Sequence, residues 1–393
     1  MSLLGFDYQP RTRVVFGVNS LDRLGELTSE MGAHRVLLVT DPGLEAAGHP
    51  QRALNLLEAA NLSVVLFDGV IENPTTREVD ACVEVARSSG IDTIIGLGGG
   101  SSMDTAKGCN FVLTNGGRMQ DYWGIGKATR PMLPLIAVPT TAGTGSECQS
   151  FALIADEVTH QKMACGDPKA AARVALLDPV LTVTQPRPVA ACTGIDAIAH
   201  ALETAVTRKR NEMSLPFSRE AFRMLQANLP RVFDQPDDLE ARGRMQLGAA
   251  FAGTAIENSM LGAAHAAANP LTAHYGIVHG QAVGLMLSWV VRFNARDEAT
   301  QRTYAELAVF AGLAHGNDSP RQAVKALVER LESLLDIAEV PRSLAEYGVA
   351  HSDIPQLAQE AAAQWTATFN PREITSEDFE KLYECALAGR GEE

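Results

Sequence analysis

Along residues 1–187, short apolar runs rich in β-branched residues alternate with stretches of helical periodicity. Arg35–Val39 (RVLLV) runs into Thr40-Asp41-Pro42-Gly43, which is turn chemistry, and so predicts a strand that ends there. A helical stretch follows to Ala60, then an apolar run over Val64–Phe67, then an amphipathic helix over Glu78–Ser89. Thr93–Gly96 leads into Gly98-Gly99-Gly100-Ser101-Ser102, and Leu133–Val138 leads into Pro139-Thr140-Thr141-Ala142-Gly143-Thr144-Gly145. Continuous apolar strands that end in glycine-rich turns predict a buried, mostly parallel sheet with ligand loops at its carboxyl edge. Phe151–Ile154 and Lys162–Cys165 flank Asp156-Glu157 and predict a hairpin, and Val174–Leu177 is a further strand that stops at Asp178-Pro179.

Past Pro186 and Pro188 the texture changes. From Val189 onward apolar residues, mostly Ala and Leu, recur at helical spacing, and strand signals nearly vanish. Helix breaks are expected near Pro216, Pro230, Pro236, Pro270, Asn317–Pro320, Pro341, Pro355 and Pro371. Ser319-Pro320 and Thr375-Ser376-Glu377-Asp378 read as helix starts, with a capping side chain and early acids. The pattern therefore predicts an α/β domain over 1–187, an all-helical domain over 188–393, and an active site in the cleft between them.

Composition narrows the partners. A chain of 393 residues is long enough for two cores. Lys+Arg 33 against Asp+Glu 47 leaves a net charge of −14, which argues against a nucleic-acid or anionic-membrane surface. The six cysteines are scattered without a CxxC pair, so reduced thiols in a cytoplasmic, soluble protein are the simpler expectation. No window approaches the roughly 20 consecutive apolar residues of a membrane span.

Candidate chemistry lies in both halves. GLGGGSSMDTAK (96–107) follows a strand and opens a helix, where glycines let backbone N–H groups approach a phosphate; its alternative is a plain turn and helix cap. PTTAGTGSE (139–147) is a second such turn, whose hydroxyls and amides could line the same ligand. Asp41, at the end of the first strand, could accept from a ribose 2′-hydroxyl and would repel a 2′-phosphate, favouring NAD over NADP, or could be only a turn-forming Asp before Pro. In the helical half, Asp196 and His200 stand at i and i+4, on one face of a helix. His265 and His279, separated by Pro270, cannot share one straight helix but can converge across a helix–loop–helix. One carboxylate and three imidazoles suit Zn²⁺ or Fe²⁺ rather than Ca²⁺ or Mg²⁺, and unpaired they would be costly amid small apolar residues.

Read together, VTDPGL (39–44), NPT (73–75), GLGGGSSMDTAK, PTTAGTGSE, ALLDPVLTVTQP (175–186), GIDAIAHALE (194–203), HAAANPL (265–271), HYGIVHG (274–280) and FNPREITSEDF (369–379) resemble, in order and over nearly the whole chain, the iron-containing (group III) alcohol dehydrogenases. The resemblance implies an NAD-dependent alcohol dehydrogenase with Fe²⁺, or alternatively Zn²⁺, held by Asp196, His200, His265 and His279. It implies cofactor contacts from Asp41, Gly98, Gly99, Ser101, Asp104, Thr140, Thr144 and Lys162, a small alcohol, aldehyde or ketone as substrate, and a homodimer. Asn269 departs from the pattern: many members carry a histidine there that is often assigned to proton transfer, and an amide does not titrate. His274, in a Gly-containing loop between two of those ligands, is the candidate substitute. Two other readings are a metal- and NAD-dependent lyase of the dehydroquinate synthase type, which would need a cluster of basic groups absent from the Ala-rich ligand segments, and a non-catalytic metal- or nucleotide-binding protein.

Overall fold

The computed structural model describes residues 5–389. The chain forms two compact units, one of residues 9–185 and one that begins at Pro186 and takes in the short stretch 5–8. The first unit holds nine strands: β1 (Arg13–Phe16), β2 (Arg35–Val39), β3 (Ser63–Phe67), β4 (Thr93–Gly98), β5 (Gly124–Ile125), β6 (Leu135–Pro139), β7 (Phe151–Ala155), β8 (Lys162–Gly166) and β9 (Val174–Leu177). Its helices are α1 (Leu24–Glu30), α2 (Pro42–Ala46), α3 (His49–Ala59), α4 (Thr76–Ser89) and α5 (Gly100–Asn115).

Six strands make one wholly parallel sheet in the order β1-β9-β6-β4-β2-β3. Successive residues of each strand feed opposite cores. Leu37, Val39, Ile94 and Ala137 pack with Val79, Val83, Ala106 and Cys109 of α4 and α5. Val36, Leu38, Ile95 and Val138 pack with Leu24, Leu27, Ala53 and Leu57 of α1 and α3. Both faces are covered, which is why these strands read as unbroken apolar runs rather than as alternating ones. The connection β2–α3–β3 leaves β2 on one side, and β3–α4–β4 returns across it to the other. The strand order thus reverses between β2 and β4, and their carboxyl ends, Asp41 and Gly98–Gly100, border the crevice that such a reversal opens. The expected hairpin is present as β7 and β8, antiparallel from Phe151↔Gly166 to Ala155↔Lys162, with β5 alongside. β1, which the sequence pattern leaves unmarked, is an edge strand with Val14 and Phe16 exposed, so it lacks the buried signature of the others.

The second unit contains α6 (Arg187–Val206), α7 (Ser214–Asp234), α8 (Leu239–Ser259), α9 (Ala263–Tyr275), α10 (His279–Asn294), α11 (Glu298–Phe310), α12 (Pro320–Ile337), α13 (Ile354–Ala362) and α14 (Ser376–Ala388). Among the described residues α6 alone is long and apolar enough to cross a membrane, and 89% of that window is buried, as in the central helix of a folded core. The starts of α12 and α14 carry capping boxes, Ser319 with Gln322 and Thr375 with Asp378.

Two expected breaks are absent. Pro230 lies inside α7 and Pro270 inside α9. A proline at position i removes the donor to carbonyl i−4. For Pro230 that carbonyl is Gln226 O, and the Arg330 guanidinium of α12 donates to it at 2.5 Å and to Gln226 Oε1 at 3.0 Å. For Pro270 in α9 that carbonyl is Ala266 O, and the buried Tyr383 hydroxyl donates to the next one, Ala267 O, at 2.7 Å. In α7 a packing partner from distant sequence thus overrides a local rule. The chain between His265 and His279 turns instead at Gly276, whose left-handed φ of 64° ends α9.

α10 approaches α6 at Gly280. A Cβ there would lie 2.0 Å from the backbone oxygen of Cys192, which cannot swing aside as a side chain can. Gly280→Ala is therefore expected to displace the start of α10 and to cost about 2 kcal/mol or more. Denaturant unfolding measures the cost, and because His279 precedes this glycine, metal retention should fall as well. Unchanged stability would mean that the two helices are not in close contact.

Candidate metal centre and glycine turns

α6 presents Asp196 and His200 from successive turns of one face, α9 brings His265 in its first turn, and α10 begins at His279. The three imidazoles surround one carboxylate oxygen. Asp196 Oδ1 lies 3.3 Å from His265 Nε2, 3.5 Å from His200 Nε2 and 3.9 Å from His279 Nε2. Donor atoms of Asp196, His265 and His279 all lie within 4.8 Å of one another. His200 joins by stacking on His265, with ring centroids 4.8 Å apart. Donors about 2.1 Å from one ion stand about 3.4 Å from each other in a tetrahedron, so this spacing suits a transition metal.

Electrostatics agree with that fit. Burial opposes the charge on Asp196, yet the adjacent His200 and the hydrogen bond with His265 hold its carboxyl well below the usual carboxylate range. Burial also pulls the His265 imidazole down, but the carboxylates of Glu203 and Asp196 outweigh it and push it up to about 9. Both shifts have one meaning: the side chains stabilise positive charge at the spot they enclose, which a divalent cation supplies.

Glu203 is the residue that the sequence reading missed. Its Oε2 accepts from His265 Nδ1 at 2.5 Å, and its Oε1 accepts from the Ala264 backbone N–H at 2.6 Å. An ionised carboxylate only accepts, so Nδ1 carries a ring proton, and Nε2 is the nitrogen that gives up its proton when a metal takes the centre. The same side chain serves a free N–H at the start of α9 and fixes where His265 points. A signal existed: Glu203 follows His200 at i+3, on the same face of an Ala-rich helix where an unpaired carboxylate is costly.

His274 is elsewhere. It sits within α9 rather than in a loop, is partly exposed, and pairs through Nε2 with Glu360 Oε2 of α13 at 2.7 Å. Asn269 shares a helix face with His265 and donates to Gln364 Oε1 at 3.0 Å.

In the α/β unit, Gly99 caps α5 without a side chain, leaving its first N–H groups open to an anion. Gly98 has φ 150°, and a Cβ on it would lie 2.3 Å from Ser102 Oγ and 3.2 Å from Asp41 Oδ2. Ser102 Oγ donates to Asp41 Oδ2 at 3.3 Å, which joins the ends of β2 and β4. The Thr140 N–H donates to Gly98 O at 2.9 Å, and the Thr144 methyl rests where a Gly100 Cβ would be, at 2.7 Å. Asp41 after β2, Gly98, Gly99 and Ser101 at the junction of β4 and α5, and Thr140 and Thr144 after β6 therefore lie together at the carboxyl edge of the sheet. Asp104 faces inward: Ser146 Oγ donates to its Oδ1 at 2.7 Å, and the Leu153 N–H to its Oδ2 at 3.3 Å. Lys162 is exposed at the start of β8.

Two family profiles match this chain end to end, "Iron-containing alcohol dehydrogenase" over residues 10–179 and "Fe-containing alcohol dehydrogenase family, C-terminal" over residues 190–387. The chain belongs to the iron-containing alcohol dehydrogenases. NAD-dependent methanol dehydrogenase of Bacillus methanolicus is 32% identical over 95% of this chain and 97% of its own length. 1,3-Propanediol dehydrogenase of Citrobacter freundii is 32% identical over 98% of this chain and 100% of its own length. A crystal structure of 1,3-propanediol oxidoreductase superposes with a TM-score of 0.94 at 31% identity, covering 98% of this chain and 100% of that one. As an iron-containing alcohol dehydrogenase the protein is an oxidoreductase, metal-dependent and acting on alcohols. The lyase reading is not favoured.

Glu203→Gln keeps the size of the side chain and removes its charge. Metal affinity, measured by competition with a chelator, should fall about 10- to 100-fold while the fold persists. An unchanged affinity would show that Glu203 serves only the start of α9.

A second expectation concerns Glu147, 2% exposed behind the second turn. Burial pushes its carboxyl up from an ordinary 4.5 to about 7, against the pull of Lys107. Between those values the folded state binds more protons than the unfolded one, so stability is full below about pH 4.5 and declines as pH rises to about 7, by about 3 kcal/mol at most. Glu147→Gln cannot ionise and should flatten that decline in unfolding titrations between about pH 5 and about pH 8. A variant that keeps the full decline would assign it to other groups.

Proposed function

We propose that this iron-containing alcohol dehydrogenase interconverts small alcohols and their carbonyl compounds with NAD rather than NADP, and uses Fe²⁺ rather than Zn²⁺. The observation that carries the reading is the meeting of three imidazole Nε2 atoms around one buried carboxylate oxygen of Asp196. Asp196, His200, His265 and His279 would hold the metal, an N₃O donor set that iron and zinc both accept, and the family's iron tips the choice. When bound, the metal acts as a Lewis acid on the substrate oxygen and NAD accepts the hydride. Glu203 keeps His265 in the tautomer that ligates.

The dinucleotide would lie over the two glycine turns, with its pyrophosphate at the uncapped start of α5 and contacts from Gly98, Gly99, Ser101, Thr140, Thr144 and Lys162, while Asp104, expected as a contact, acts from the interior by holding Ser146. Asp41, at the strand-order reversal, favours NAD because its carboxylate accepts from ribose hydroxyls and repels a 2′-phosphate. Two relatives whose names carry methanol and 1,3-propanediol support a short-chain substrate. A homodimer is the assembly that the family resemblance implies, and the scattered cysteines support a cytoplasmic setting. Asn269 holds no titratable proton, so His274, which stands apart from Asp196 and pairs with Glu360, is assigned only the last transfer of the alcohol proton to solvent, reached through water.

Protein purified without oxygen and loaded with Fe²⁺ should reduce NAD with short alcohols and diols, seen as nicotinamide absorbance. Asp41→Ala should narrow its preference for NAD over NADP about tenfold or more, roughly the 1.4 kcal/mol of one lost charge contact. No turnover with any short alcohol would overturn the substrate reading, and an unaltered preference would remove Asp41 from it. In the same assay His274→Ala should shift the pH–rate profile; an unmoved profile would exclude His274 as the proton carrier.

A further inference from the structure

The ammonium of Lys107 is completely buried in the α/β unit. Burying a charge costs several kcal/mol unless it is paired and hydrogen-bonded, and Met or Leu would fill the same volume at no such cost. Lys107 Nζ donates to Ser146 O at 2.6 Å, to Ser146 Oγ at 2.8 Å and to Phe151 O at 3.0 Å. Ser146 Oγ in turn donates to Asp104 Oδ1 at 2.7 Å. Asp104 and Lys107 stand at i and i+3 on α5, so one face of the helix grips both the backbone and the side chain of a single residue, Ser146. Ser146 closes the second glycine turn. Its N–H donates to Thr144 Oγ1 at 3.3 Å, and Thr144 is the residue whose methyl rests against Gly100. A path of contacts therefore runs from Lys107 through Ser146 and Thr144 to the uncapped start of the same helix.

We propose that Lys107 is a positioning residue for the dinucleotide: acting through Ser146, it fixes the second glycine turn at the distance from Gly98–Gly100 that the cofactor requires. The proposal rests on the reading that these turns hold the cofactor. It goes further by assigning a role to a side chain that touches no ligand. The charge supplies what an apolar filler could not, namely directional bonds to a main-chain and a side-chain oxygen of the same residue. A turn that is free to drift by an ångström forfeits much of a well-placed ligand's binding.

The test uses the metal-loaded enzyme and calorimetric titration with NAD. Lys107→Met and Ser146→Ala are each expected to raise the Kd for NAD about 10- to 100-fold. Metal content should stay unchanged and kcat at saturating NAD nearly so. The double variant should be little worse than the poorer single one, because both changes remove the bond between Lys107 Nζ and Ser146 Oγ. Lower thermal stability with an unchanged Kd in both variants would overturn the proposal and leave Lys107 a structural residue. Should Lys107→Met fail to fold, Ser146→Ala decides alone, since it keeps the bond from Lys107 to the Ser146 carbonyl. Gly100→Leu serves as the control for the underlying reading. If it leaves NAD binding intact, the cofactor does not lie on these turns; if it abolishes binding while Lys107→Met and Ser146→Ala change nothing, only the positioning role fails.

Discussion

A carboxylate buried among small apolar side chains must find positive charge, and the helical unit is arranged around that requirement at Asp196. α6 from its body and α9 and α10 from their starts each bring an imidazole to the same oxygen, and a second carboxylate, Glu203, holds one of those rings from behind. The Ala-rich character of α6 and the bare Cα of Gly280 follow from it, because helices must approach closely for short donor side chains to converge. Removing one member would leave the others as unpaired buried polar groups, so the cluster is costly to half-build.

The α/β unit meets a different constraint. Its two glycine turns are largely backbone, and backbone can be placed only by what lies behind it. The reversal of strand order sets Asp41 beside Gly98, and the contact of Ser102 with Asp41 closes that junction. Asp104 and Lys107, one turn further along α5, anchor the second turn from the interior. Both units thus rely on buried charges whose hydrogen bonds orient a neighbouring segment, Glu203 for α9 and Lys107 for the second glycine turn.

Much of the fold was legible in the order of residues. Apolar runs that stop at Asp41, Gly98 and Pro139 marked the three strands that end at the Asp41 turn and the two glycine turns, because a strand covered on both faces needs no alternation and must stop where backbone leaves the core. The histidines and Asp196 were legible as a set by residue type and by the i, i+4 pair. Less legible were features that depend on partners distant in sequence. Pro230 and Pro270 read as breaks, and at Pro230 sequence shows the missing donor but not the Arg330 that replaces it.

The sequence by itself determined the alternation of strands and helices, the shift to helix after Pro186, and the chemical identity of the donors, because periodicity and side-chain type are local properties. Tertiary structure alone decided that three rings converge on one oxygen of Asp196, that Glu203 stands behind His265 while His274 turns to Glu360, and that a buried lysine grips Ser146. Such pairings are matters of distance, and distance between remote residues is set only when the cores pack.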